Sequence, residues 1–131
     1  MDETTRNFTL AWLGGIPIAI LNAAIRNYLF QPYTNELLAH QISSFTIIII
    51  FAIYFFWLNK LWPIDSTQQA ITIGIIWLTL TIIFEFLFGH YVMGHSWTYL
   101  LQDYNIMSGR LWSLVLVWTI IGPYTIYKVL N

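Results

Sequence analysis

The chain is expected to be an all-α, polytopic membrane protein: four transmembrane helices, with a short interfacial helix between the third and fourth. Three observations point there. Of 131 residues, 58% are hydrophobic and only 8% charged, whereas a soluble globule carries roughly a quarter of its residues as charges. Four apolar stretches have the roughly 17–25 residues that a helix needs to cross a hydrocarbon core of about 30 Å. Between the third and fourth lies GHYVMGHSWTYLLQDYNIMSGR, too polar to span and too aromatic for a free linker.

The first span is expected over about 8–30, where Gly14, Gly15 and Pro17 offer a kink that membrane helices tolerate and Pro32 marks the end. The second, about 42–58, holds the run IIIIFAIYFFW, is apolar on every side, and is expected to be short and little tilted. Pro63 then breaks the helix, and Asp65, Ser66 or Thr67 can cap the third span, about 69–88. The fourth runs over about 111–130, with Gly122 and Pro123 loosening its last turns. In the interfacial segment, Ser96 can cap a short helix over about 96–104 whose Trp97, Leu100, Leu101 and Tyr104 share a side, and Gly89, Gly94 and Gly109 supply bends. Residues 1–131 read as a single membrane domain. Gly14, Gly15, Ala19 and Ala23 favour close helix contact on the first span.

Five Lys and Arg against six Asp and Glu leave no basic footprint, so nucleic acid is not an expected partner. The absence of cysteine removes disulfides, thiolate nucleophiles and iron–sulfur ligation. No cofactor motif is present, and none is expected to be bound. The first six residues lack the features of a removable signal peptide. With four crossings, Arg6, Lys60 and Lys128 share the terminal side and Arg26 and Arg110 the other; the positive-inside rule then makes both termini cytoplasmic. The bilayer is the expected partner, with a homodimer or a larger membrane complex also considered.

The same topology gathers Arg26, Glu36, His40, Glu85, His90, His95, Asp103 and Arg110 at the end carrying the first and third loops. Ionisable groups at membrane depth cost several kcal/mol unless paired or hydrated, so they are functional candidates by default. Asn22 and Arg26 share a helix face, and Arg26 reads as an anion or headgroup clamp, or as a structural ion pair. Glu36 and His40 stand one turn apart, which suits proton relay, or else Glu36 simply favours the helix start. Glu85, inside IIFEFLF, serves proton coupling if left unpaired or acts as a static latch if paired with Arg26 or Arg110. His90 and His95, five apart, form no helical zinc motif; a composite site with Glu85 and His40 is the less favoured reading, and no metal is expected. Asp103 and Arg110 read as a mutual pair or as walls of a polar pocket. Ser43 and Ser44 fit helix hydrogen bonding better than nucleophilic roles.

The run FEFLFGHYVMGHSWTYLLQDYNIMSGRLW, together with LNAAIRNYLF and HQIS, resembles a group of small bacterial four-helix membrane proteins without assigned activity. The resemblance implies location in the bacterial cytoplasmic membrane. It also implies a shared site at Asn22, Arg26, His40, Gln41, Glu85, Gly89, His90, Asp103, Gly109 and Arg110, and it carries no reaction. Four-helix multidrug exporters are a looser analogy of size, but their membrane glutamate is on the first helix and the acid here is on the third. The functional expectation is binding or transport of a small polar or amphipathic ligand at the polar end, with proton coupling as an option. The alternatives are a membrane-embedded enzyme acting on a lipid or isoprenoid headgroup, and an accessory subunit of a larger complex.

Overall fold

The first three long helices each begin at a side chain that accepts an otherwise orphaned backbone N–H. In the computed structural model, which describes residues 2–102 and 104–130, Asp2 caps α1 (Glu3–Ile25), accepting from Thr5 N at 2.7 Å, and this bond lowers the Asp2 carboxyl pKa. Asn35 caps α2 (Glu36–Leu61) through Leu38 N at 2.8 Å, and Ser66 caps α3 (Thr67–Leu87) through Gln69 N at 3.1 Å. Ser96 caps the six-residue α4 (Trp97–Gln102) through Tyr99 N at 3.0 Å, and α5 (Trp112–Leu130) closes the chain. Four of these helices, α1, α2, α3 and α5, are long and apolar enough to cross a membrane. Among the described residues there is no strand.

The second helix is not short. It spans 26 residues, because Asn35 starts it and Glu-Leu-Leu-Ala-His-Gln continues it well before the apolar run. Its apolar surface is divided between core and periphery: Ile47, Phe51, Phe55 and Leu58 are buried, while Phe45, Ile49 and Ile53 are exposed. α1 runs through Pro17 and continues in a π turn, Arg26–Phe30, followed by a 3-10 turn. α3 likewise passes into a π turn, Phe88–Val92, so both helices change pitch at the same end of the bundle.

The half of the bundle near the termini is solid. Trp77, fully buried, donates its indole N–H to Phe8 O at 2.9 Å and packs against Phe51, Tyr54 and Phe55 with ring centroids 4.8–6.0 Å apart. Tyr54 donates to Ala11 O at 2.7 Å, and Trp12 Nε1 to Thr81 Oγ1 at 3.0 Å, which ties α1 to α2 and to α3. Asn59 accepts from Ile64 N at 2.7 Å and fixes the turn between α2 and α3. α3 and α5 cross so closely that a Cβ on Gly74 would lie 2.1 Å from Ile120 O. Gly122 likewise makes room for the Phe55 ring, and α5 runs on through Pro123 without a break.

Gly74→Ala therefore pushes α3 from the α5 backbone and should cost at least about 2 kcal/mol. Gly14→Ala meets a side chain, the Tyr54 hydroxyl, rather than backbone and should cost less, chiefly the Tyr54–Ala11 hydrogen bond. Unfolding of the two variants in detergent micelles checks the order; equal stabilities would contradict the packing.

Candidate functional site

At the other end, the bundle opens around a cavity of about 290 Å³. Its deep walls are apolar or weakly polar: Trp12, Ile16, Ala19 and Ile20 from α1, Ile47 and Phe51 from α2, Thr81 and Phe84 from α3, and Val115 from α5. Its outer walls carry Arg26, His40, Glu85, His95 and Arg110, with Asn22, Ser43 and Ser44 beside them. Five of the eight ionisable residues singled out at this end, or six of nine counting Asn22, thus converge on one space. Ala19 and Ala23 line that space, so the small residues of α1 leave a volume there rather than a close helix contact.

Glu85 reaches this end from the last full turn of α3. Its Oε2 accepts the Tyr104 hydroxyl and, at 2.8 Å, the Trp112 indole N–H. Tyr104 is in turn stacked on Phe86, with planes 3° apart, and its carbonyl accepts from Ser113 Oγ at 3.2 Å. One carboxylate oxygen therefore joins α3, the connecting segment and the first residue of α5.

Arg110 is paired with Glu36, not with Glu85: its Nη2 donates to Glu36 Oε1 at 3.1 Å. The backbone explains the choice. Gly109 has φ +88°, a left-handed conformation that glycine adopts without strain, and its carbonyl accepts from Gln41 Nε2 at 2.9 Å. That bond delivers Arg110 to the start of α2. Its other terminal nitrogen, Nη1, is buried and has no hydrogen-bond partner among the described residues. Because Arg110 takes the Glu36 carboxylate, His40 Nε2 stands 4.0 Å from it, too far for a hydrogen bond to fix the tautomer.

Asn22 is buried and donates to Ser43 Oγ at 2.7 Å and to Ser43 O at 3.1 Å, a structural tie between α1 and α2. Ser44 donates to His40 O at 2.9 Å, as a helical serine does. Arg26 Nε donates to Asn27 Oδ1 at 3.2 Å. His90 does not line the cavity; it donates from Nδ1 to His95 O at 2.8 Å, and its ring stacks on Trp97 at 3.8 Å. His95 stacks on Tyr99 at 4.3 Å and does face the cavity. Gly89 is no bend: it lies within the π turn and allows Leu100 to press within 2.7 Å of where a Cβ would stand. Of the interfacial helix, Leu100 is buried while Leu101 and Trp97 are exposed, so Leu100 is its buried anchor and Trp97 holds it by stacking on His90. Asp103 lies outside the described residues. Among those described, no three His, Asp or Glu side chains gather closely enough to hold a metal ion.

Trp112 and Tyr99 line the cavity but carry no signal in the sequence beyond being aromatic. No spacing signal joins Trp112 to Glu85 across 27 positions.

No family model, no curated protein and no solved structure matches the chain. The likeness to small four-helix membrane proteins rests on the quoted residues alone.

Removing either donor to Glu85, by Tyr104→Phe or Trp112→Phe, should destabilise the chain by about 1–3 kcal/mol. The pair should be non-additive, since both act on one oxygen. Denaturant unfolding in micelles measures this, and unchanged stability of both single variants would contradict the clamp.

Proposed function

We propose that this integral membrane protein binds an amphipathic ligand with an anionic headgroup in the cavity at the polar end of its bundle. One observation carries the reading. Arg110 lines the cavity, and its buried Nη1 has no acceptor among the described residues; a buried guanidinium N–H left unsatisfied costs free energy that an anionic oxygen would recover. Arg26 lines the same mouth. The apolar depth below it, between Trp12, Ile20 and Phe84, suits a hydrocarbon portion, as in ligand pockets where a few polar groups orient a mostly apolar ligand.

The binding reading is favoured over the lipid-modifying enzyme because the imidazoles are dispersed. His90 is committed to the His95 carbonyl, and His40 lacks a carboxylate within hydrogen-bond reach among the described residues. Glu85, holding two donors on one oxygen, serves as the clamp that positions the mouth.

Dodecyl phosphate, titrated into the protein in phosphatidylcholine nanodiscs, should bind, whereas dodecanol should not. Arg110→Gln should weaken binding about tenfold or more, the equivalent of about 1.4 kcal/mol. Glu36→Gln, which frees Arg110 while keeping its charge, should bind at least as tightly as wild type. Equal binding of phosphate and alcohol, or no loss in Arg110→Gln, would contradict the reading.

A further inference from the structure

The cavity walls are not equally closed. Its lining residues from α2, α3 and α5 are all buried or half-buried, whereas Ile20 on α1 is 49% exposed, and Met93 and Tyr99, in the connecting segment after α3, are 56% and 39% exposed. The hydrogen bonds between helices account for this asymmetry. α1 is bound to α2 both deep in the bundle, through Tyr54 and Ala11, and near the polar end, through Asn22 and Ser43. Among the described residues, its hydrogen bonds to α3 lie in the solid half: Trp77 to Phe8 and Trp12 to Thr81, with Trp12 also edge-on to Phe84 at 5.9 Å. Above Trp12, the residues of α1 that face the cavity near α3 include Ala19 and Ala23, whose side chains are too small to fill the gap.

Resting on the anionic-amphiphile reading, we infer that the seam between α1 and α3 above Trp12 is a lateral portal, through which a single-chain anionic amphiphile of the surrounding leaflet sits with its headgroup at Arg110 and its chain passing out into the lipid. Size points the same way. About 290 Å³ is at the small end of ligand pockets, enough for a headgroup and the first part of one chain. The rest of a membrane-length chain must leave, and the exposed wall at Ile20 lies at hydrocarbon depth, in the middle of a 31-residue membrane-spanning helical stretch. The chain therefore stays in apolar surroundings along its whole length while the phosphate or carboxylate reaches the buried guanidinium. A water-soluble anion gains only the second of these.

The test is a chain-length series. Octyl, dodecyl and hexadecyl phosphate are titrated into the full chain in phosphatidylcholine nanodiscs, and affinity is expressed per mole fraction in the membrane. An open seam predicts affinities for the three within about threefold, since the excess chain remains in lipid. A sharp loss at hexadecyl would mean an enclosed pocket and would overturn the portal while leaving the binding reading intact. Failure of all three to bind would overturn both. Ala23→Phe, which fills the seam, should lower the hexadecyl-to-octyl affinity ratio about tenfold or more, a readout that general damage to the fold would not move. Leu21→Phe, on the exposed side of α1, should leave the ratio at the wild-type value. An unchanged ratio in Ala23→Phe would also overturn the portal.

Discussion

A carboxylate placed one turn from the end of an apolar helix must be supplied with donors, because leaving it bare in a low-dielectric setting costs several kcal/mol. Glu85 is that carboxylate, and much of the polar end follows from how it is satisfied. Its two donors come from the far side of the connection, Tyr104 before the final loop turn and Trp112 at the start of α5. Holding both fixes where α5 begins relative to α3. Between them, the chain has to turn at Gly109, and the turn presents Arg110 to Glu36 across the mouth of the cavity. The mouth of the cavity is thus built by a clamp on one helix acting through a loop, with α2 contributing Gln41 and Glu36 as the receiving surface.

The bundle divides its labour along its length. Toward the termini, aromatic side chains around Trp77 fill the space between α1, α2 and α3, and Gly74 lets α5 approach α3 backbone to backbone. That half carries the packing energy, since burying large aromatic rings removes the most apolar surface. Toward the polar end, α1 presents Gly15, Ala19 and Ala23 to the interior, and volume is left where the other half has rings. The π turns that follow α1 and α3 at this end are wider helical turns of a kind frequent at functional sites.

The spans were legible in the sequence because hydropathy over twenty residues is a direct record of the solvent a helix faces. Their starts were less so: α2 begins at Asn35 and Glu36, six residues ahead of the apolar run, because a cap and helix-forming residues extend a helix beyond the depth that hydropathy marks. The gathering of charged residues at one end was legible from topology alone. Their pairing was not. Arg110 meets Glu36 across 74 positions and Glu85 meets Trp112 across 27, and such partners depend on the rotation of each helix about its axis and on a glycine-borne loop turn. The cavity was likewise hidden, since alanines at four-residue spacing read alike whether they admit a neighbouring helix or leave a space. His90 looked like a site residue and is a fastener of its own loop, a distinction that only the His95 carbonyl makes.

The central claim is that Arg110 holds a headgroup anion at the mouth of the cavity. Dipolar coupling between the phosphorus of bound dodecyl phosphate and guanidinium nitrogens labelled with nitrogen-15, measured by solid-state magnetic resonance on protein in phosphatidylcholine bilayers, tests it most directly. Assignment of the Arg110 signal follows from its loss in Arg110→Gln. The account predicts a phosphorus–nitrogen separation of about 4 Å at Arg110, the distance of a direct charge-assisted hydrogen bond. Bound phosphate with coupling confined to other arginines, and none at Arg110, would contradict it.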